Sequence, residues 1–211
     1  MPSLNTLLVY IPVAVVMAFT PGPATLFVMS RASSLGRRAG LAAAAGLLSG
    51  TCVLIGLAAA GLTGVLAASP TAFAIVKDAG AAYLVYLGIR LWAATGGLEG
   101  GAPAAPDGDP GWREYRRGVI TEFLNPKIAL FYASVLPQFV DAGRGDVPLQ
   151  MAVLGGVFCV FAVVSLTLIA CGGGALRARI ARDPRWLTVT RRASGVVLVG
   201  LGVRLAAGGA R

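Results

Sequence analysis

Residues 120–139 read ITEFLNPKIALFYASVLPQF, an apolar and aromatic segment interrupted by Asn125, Pro126 and Lys127. Proline lacks the backbone N–H that a helix uses and clashes with the preceding turn, so a helix here must kink or break. A lysine inside a hydrocarbon-length segment costs about 2.5–3.5 kcal/mol on insertion scales. A helix break and a buried charge at one point predict a polar site inside a membrane protein. The alternative is a packing kink whose lysine extends towards the membrane surface.

A second break is predicted in the apolar run from Leu4 to Met29, at Pro21-Gly22-Pro23. Two prolines around a glycine stop a helix more firmly than one proline does. The break frees carbonyls before it and amides after it, and in a bilayer these groups must bind protein, water or a ligand.

The composition is that of an integral membrane protein. The 211 residues have a mean hydropathy of +0.77, and 13% of them are charged. Several apolar segments exceed the length of about 20 residues that crosses a bilayer. Because no stretch is left for a soluble domain, we expect residues 1–211 to form a single transmembrane domain.

Charge, histidine and cysteine content exclude several functions. The net charge of +9 comes largely from arginines between apolar runs, which is an orientation signal of membrane proteins and does not indicate nucleic-acid binding. The absence of histidine excludes histidine-based catalysis and nearly all zinc chemistry. Cys52, Cys159 and Cys171 lie apart in apolar segments, where we expect small buried hydrophobic residues. No metal or cofactor is predicted.

The predicted fold is an all-α integral membrane protein with six transmembrane helices. The apolar runs place these helices at about 4–30, 40–67, 71–94, 118–140, 149–171 and 193–207. The first and fourth helices are broken at Pro-Gly-Pro and Asn-Pro-Lys, and Gly172-Gly173-Gly174 is expected to end the fifth. A short basic connection from Arg31 to Arg38 joins the first two helices. Residues 96–112 are rich in glycine and proline and predict a flexible cytoplasmic linker.

The two halves of the chain resemble each other. Residues 84–91 (LVYLGIRL) match residues 198–205 (LVGLGVRL), and the two broken helices occupy equivalent places. Repeat 1 covers about 4–95 and repeat 2 about 118–208. Since each repeat has three helices, the repeats are expected to have opposite orientations. Inverted repeats with broken helices at matching positions indicate a secondary transporter whose substrate binds at the breaks.

The distribution of arginine predicts the orientation. The first, third and fifth connections hold nearly all the arginines between helices, whereas the second and fourth hold only Arg144. The positive-inside rule places the arginine-rich connections in the cytoplasm and both termini in the periplasm, in a multi-pass protein of the cytoplasmic (inner) membrane.

Gly46 and Gly50 lie four residues apart on the second helix, a spacing that suits close helix packing. We expect this packing to occur within the chain. A homodimer that meets along these glycines is the alternative.

Four groups of residues carry a family resemblance. They are Pro21-Gly22-Pro23; Gly36, Gly40, Gly46 and Gly50; Gly80-Ala81-Ala82-Tyr83-Leu84 with Leu87-Gly88; and Asn125-Pro126-Lys127 with Leu136-Pro137-Gln138-Phe139. As a set they resemble the LysE/RhtB family of amino-acid exporters over nearly the whole chain. The resemblance implies six transmembrane helices and amino-acid export driven by an ion or proton gradient. Many relatives carry an aspartate just after the second glycine of helix 2, where this chain has Thr51, so a coupling role for that carboxylate does not carry over.

An amino acid presents a carboxylate and an ammonium, and the two breaks offer partners for both. Amides freed after the prolines, the helix dipole and the charge of Lys127 suit the carboxylate. The ammonium needs acceptors, either carbonyls freed before the breaks or a nearby carboxylate. The predicted substrate site consists of Pro21, Gly22, Pro23, Asn125, Pro126 and Lys127.

A proton-coupled exporter also needs a group that gains and loses a proton during the cycle. Asp78 and Glu122 are the two carboxylates near the membrane that could do so. Each has a simpler alternative: Glu122 could pair with Arg117 at the membrane surface, and Asp78 could neutralise Lys77.

These patterns predict a secondary transporter that exports amino acids or close derivatives by proton antiport, and not an enzyme. An exporter of another small solute is one alternative. A membrane thiol-redox carrier is the second, although such a carrier would need cysteines at the two breaks, and both breaks lack them. Nothing in the sequence resembles a nucleophile–histidine pair.

Overall fold

The computed structural model describes residues 1–93, 110–182 and 184–208, and within these ranges the chain is helical and has no strand. The helices are α1 (Leu4–Phe19), α2 (Pro23–Leu35), α3 (Arg37–Ala68), α4 (Pro70–Ala93), α5 (Pro110–Phe123), α6 (Pro126–Leu130), α7 (Val147–Arg182) and α8 (Pro184–Gly208). A π turn (Phe131–Val135) and two 3₁₀ turns (Leu136–Phe139 and Ala142–Arg144) connect α6 to α7. The all-α prediction is confirmed for these ranges.

Two helices in the described ranges are long and apolar enough to cross a membrane, at Arg37–Leu62 and Val147–Gly172. The pair Leu4–Phe19 and Pro23–Leu35, bent by 45°, makes a third candidate if it is one broken span. Because about 20 apolar residues cross the hydrocarbon core, these segments support a membrane protein. The six transmembrane helices expected from the sequence exceed these two or three candidate spans, so that number stays a prediction.

Both predicted helix breaks are confirmed. At the first break α1 ends at Phe19, Gly22 is the N-cap of α2, and Pro23 takes the first helical position, where a missing N–H is harmless. At the second, Asn125 is the N-cap of α6, and its side-chain oxygen accepts a hydrogen bond from the Lys127 amide at 3.2 Å. Beyond Leu130 the expected continuous helix is replaced by the π and 3₁₀ turns.

Three predicted boundaries were wrong. Helix α7 continues through Gly172-Gly173-Gly174 to Arg182, since a glycine inside a helix costs only about 1 kcal/mol relative to alanine. Helix α8 begins at Pro184 and not near residue 193. Helix α5 begins at Pro110, so residues 110–112 of the predicted linker are helical. The rest of that linker, residues 96–109, lies outside the described residues.

The predicted basic connection from Arg31 to Arg38 was also wrong. Gly36, with φ of +89°, is the single residue between α2 and α3, and Arg31 lies within α2 and is buried. The Arg31 Nε atom lies 3.2 Å from a carboxylate oxygen of Glu114 in α5, a side chain with no exposed surface. The same carboxylate pairs with Arg113 and Arg117. This ion cluster fastens the broken first helix to α5.

Glycines bring two helix pairs into close contact. In the α3–α5 pair, a Cβ atom at Gly46 would overlap the backbone carbonyl of Tyr115, and one at Gly50 would lie 2.9 Å from the Cβ of Glu122. In the α4–α8 pair, Gly88 and Gly195 each lie against the other's backbone carbonyl. The prediction that Gly46 and Gly50 pack within the chain is therefore confirmed.

Replacing Gly46 with alanine is expected to destabilise the protein. The new methyl group would overlap a backbone carbonyl of α5 and can be accommodated only if that backbone moves. The free energy of unfolding should therefore fall by about 3 kcal/mol. Gly56→Ala on the same helix is the control, because nothing lies within 4 Å of its added Cβ. Thermal unfolding of both variants in detergent tests the difference. Equal unfolding temperatures for the two variants would contradict the packing described here.

Candidate functional site

The two helix breaks meet at the side chain of Lys127. Its ammonium donates hydrogen bonds to the backbone carbonyls of Met17, at 2.8 Å, and Thr20, at 2.9 Å. These carbonyls belong to the end of α1, where the break deprives them of intrahelical donors. The lysine therefore does not extend to the membrane surface, as the packing-kink alternative required. Its ammonium has three donors, so one remains available to the pocket.

The other carbonyls near the end of α1 also have partners. The Val16 carbonyl accepts from the Thr20 amide at 2.9 Å, and the Ala18 carbonyl accepts from the Ser165 hydroxyl of α7 at 3.0 Å. Together with the two bonds from Lys127, these contacts satisfy the acceptors from Val16 to Ala18 and at Thr20. The sequence pattern did not single out Ser165, because a serine in an apolar helix has no distinctive spacing.

The start of α2 lines the same pocket with unused donors. Its first intrahelical bond runs from the Leu26 amide to the Gly22 carbonyl, so the amides of Ala24 and Thr25 have no acceptor within the helix. The positive end of the helix dipole lies there as well. A Cβ atom at Gly22 would lie 3.5 Å from Cδ of Lys127, which places this glycine directly beside the lysine.

A buried carboxylate forms the other polar side of the pocket. Glu122 accepts a hydrogen bond from the Thr51 hydroxyl at 2.6 Å and a longer one from the Asn125 amide at 3.4 Å, and all three residues are buried. The suggested pairing of Glu122 with Arg117 was wrong, because Arg117 bonds Glu114 at 2.9 Å. In the sequence Thr51 departs from the family pattern, but only the structure shows that it contacts Glu122.

Polar groups line one part of the pocket, and apolar side chains line the rest. Counted together with the open space at its mouth, the pocket has a volume of about 420 Å³. Its apolar lining comprises Met17, Ala18, Ala24, Ile128, Phe158, Ala162 and Leu166. Its polar lining comprises Thr20, Gly22, Thr25, Thr51, Glu122, Asn125 and Lys127.

The predicted residues fall into three groups. Gly22, Asn125, Lys127 and Glu122 line the pocket, whereas Asp78 is exposed on α4 and is not part of it. Pro21, Pro23 and Pro126 lie in the two backbone breaks that bring the pocket together.

The cysteines do not lie where a thiol carrier would need them. Cys52 and Cys171 are exposed and Cys159 is partly buried, so the prediction of buried hydrophobic residues was wrong for the first two. In a membrane helix an apolar side chain can face lipid as readily as protein, because lipid tails are equally apolar and burial brings no hydrophobic gain. None of the three lines the pocket.

The chain is similar in sequence to known membrane transport proteins. A family model described as LysE type translocator matches residues 15–209. The leucine efflux protein of Salmonella typhimurium is 30% identical over 197 residues, covering 93% of this chain and 92% of that protein. An uncharacterised membrane protein of Pseudomonas aeruginosa is 32% identical over 201 residues, covering 93% of each chain. One of Bacillus subtilis is 28% identical over 208 residues, covering 95% of this chain and 98% of that protein. No solved structure gives a significant match.

Proposed function

The chain belongs to the family of LysE type translocators, and we propose that it is a secondary transporter that exports an amino acid across the cytoplasmic membrane by proton antiport. The observation that carries the proposal is the position of Lys127, whose ammonium joins the two helix breaks inside a pocket. Broken helices at the substrate site are the usual construction of secondary transporters.

We assign the substrate's carboxylate to the third donor of Lys127 and to the amides that begin α2. Hydrogen bonds between charged groups are about twice as strong as neutral ones, and the helix dipole adds to them. The pocket's apolar lining, with Ile128, Phe158 and Leu166, suits an aliphatic side chain. A relative named for leucine efflux supports leucine as the first substrate to test.

The helix pairings support the inverted repeat. Helices α1 and α2 pack on α7, α3 packs on α5 and α7, and α4 packs on α8. In an inverted repeat, the pair α1 and α2 corresponds to α5, α3 corresponds to α7, and α4 corresponds to α8. The packing of α1 and α2 on α7 then has its counterpart in the packing of α5 on α3, and the pairs α3–α7 and α4–α8 each join corresponding helices. The matching segments 84–91 and 198–205 lie in the last pair.

The proposed orientation has both termini in the periplasm. Reporter fusions at Arg38 and Arg182, in arginine-rich segments, should report the cytoplasm, and a fusion at Arg211 should report the periplasm. A cytoplasmic signal from the Arg211 fusion would contradict the six-helix topology or its orientation.

Enlarging Gly22 is expected to block transport. A leucine there would fill the space beside Lys127, whereas an alanine fits, since its Cβ would lie 3.5 Å from Cδ of that lysine, an ordinary contact distance. The backbone of Gly22, with φ of −156°, suits any residue, so neither change strains it. We expect Gly22→Leu to lose most leucine efflux and Gly22→Ala to keep it, at matched membrane levels. Equal efflux from the two variants would place the substrate path elsewhere.

The experiment that tests the function is an efflux assay in cells. Cells with and without the protein are loaded with a panel of labelled amino acids, and the rate of release is compared. We expect faster release of leucine or another aliphatic amino acid. Release of none of these amino acids above the rate of cells without the protein would favour the alternative, an exporter of another small solute. Loss of activity on replacing Cys52, Cys159 and Cys171 together would favour the thiol carrier.

A further inference from the structure

We propose that the carboxylate of Glu122 is the shared binding site of the substrate's amino group and the coupling proton, which compete for it. The inference rests on the proposed function and adds to it the device that links export to the proton gradient. It follows from the hydrogen bonds that the acceptors in the pocket already accept.

The carbonyls beside the lysine already have donors, so an ionised carboxylate is the stronger partner for a substrate ammonium. The carbonyls of Met17 and Thr20 already accept from Lys127, and the carbonyl of Ala18 accepts from Ser165. Among the described residues that line the pocket, Glu122 is the one acid. Each of its oxygens accepts one hydrogen bond, from Thr51 and Asn125, and an ionised carboxylate has about four acceptor positions. Capacity therefore remains for a substrate ammonium.

The pocket holds one group for each of the two charges of an amino acid. Lys127 and Glu122 line the same cavity on opposite sides of the Asn125–Pro126 break. An amino acid carries its carboxylate and ammonium on one carbon atom, so the lysine can hold the first while the glutamate holds the second. Neither group alone would distinguish an amino acid from a fatty acid or an amine.

In the part of the chain that the structure describes, the following ionisable groups surround Glu122. Lys127 of α6 is the charge that stabilises its ionised form, and α3 presents the neutral Thr51 hydroxyl. Tyr132 of the π turn and Cys159 of α7 interact with it electrostatically. The ionisable residue of α2, Arg31, is engaged by Glu114. We therefore assign this carboxylate to the two mobile cations of the proposed exchange, the substrate's ammonium and the proton.

The proposed exchange balances in atoms and charge. On the cytoplasmic side, the substrate ammonium binds as the O–H bond of protonated Glu122 breaks and its proton passes to cytoplasmic water. On the periplasmic side the ammonium leaves, and the carboxylate takes a proton from periplasmic water. One zwitterionic amino acid leaves the cell for each proton that enters. No electron is transferred and no further reactant is needed.

The test measures proton release on binding to the purified full-length protein in weakly buffered detergent solution, with a pH indicator. Two ligands are compared: leucine, and 4-methylpentanoate, which is leucine without its amino group. Leucine should release about one proton per molecule bound, and its affinity should rise up to about tenfold per pH unit while Glu122 is protonated. 4-Methylpentanoate should bind without releasing a proton.

Two variants complete the test. Glu122→Gln keeps the shape of the side chain, and it should bind leucine at least tenfold more weakly, independently of pH and without proton release. Asp78→Asn, in the other carboxylate considered and outside the pocket, should behave as wild type. Equal proton release with both ligands, or release that persists in Glu122→Gln or disappears in Asp78→Asn, would overturn the inference. Failure of the wild type to bind or export any amino acid would instead contradict the proposed function.

Discussion

Replacing Lys127 with methionine is expected to abolish export while leaving the protein in the membrane. The change removes the donor assigned to the substrate's carboxylate, and a hydrogen bond between charged groups contributes about 1.5–3 kcal/mol, or about 10- to 150-fold in binding. Removing a charge from the bilayer interior gains about 2.5–3.5 kcal/mol. Two carbonyls lose their donors, at about 1–3 kcal/mol each. These opposing effects are similar in size, so abundance should change little.

The measurement is labelled-leucine efflux at matched protein levels, with membrane abundance determined by immunoblot. Arg144→Met is the control, because it removes a positive charge from an exposed turn residue whose partner, Asp141, is also exposed. We expect the Arg144 variant to export at the wild-type rate. Wild-type efflux from Lys127→Met would show that the lysine serves only to close the backbone break.

Replacing Glu114 with glutamine is expected to be the most destabilising single change outside the pocket. The Glu114 side chain has no exposed surface, and it neutralises Arg31, whose side chain is 3% exposed. Breaking a buried ion pair by removing one partner leaves an uncompensated charge and costs about 3–5 kcal/mol. We expect Glu114→Gln to reduce the folded protein recovered in detergent several-fold, measured by size-exclusion chromatography with fluorescent detection.

A double variant separates charge from packing. Arg31→Met together with Glu114→Gln removes both members of the pair and should recover part of the lost stability, since no buried charge remains unpaired. Arg116→Met, which changes an exposed arginine of the same helix, should have little effect. A double variant less stable than Glu114→Gln alone would show that Arg31 contributes chiefly through its contact with the Phe27 ring.

Sequence reasoning located both helix breaks because proline acts on the backbone locally. The chemistry of Pro21-Gly22-Pro23 and Asn125-Pro126 depends on a few neighbouring atoms, so no tertiary information was needed. Helix ends were harder to predict. Glycine only weakens a helix, and the apolar pattern stops at the membrane surface although the backbone continues, as the run of α7 to Arg182 shows.

The contacts inside the pocket could not be predicted from the sequence. Thr51 and Glu122 are 71 residues apart, and Lys127 is 110 residues from Met17, so only the packing of α3 against α5 and of the two breaks brings them together. Arg31 was assigned to a surface connection because an arginine near an apolar run usually marks the membrane boundary. Its burial depends on Glu114, which lies on a different helix.

The most direct test of the account is leucine efflux from liposomes that contain the purified protein, with a pH gradient imposed across the membrane. Liposomes loaded with labelled leucine are diluted into a more acidic buffer, and release is followed for the wild type and for Lys127→Met. We expect release by the wild type that accelerates with the pH gradient and loses that acceleration when a protonophore is added, and release by the variant no faster than from protein-free liposomes. Equal release from wild-type and variant liposomes, or none from either above the protein-free rate, would contradict it.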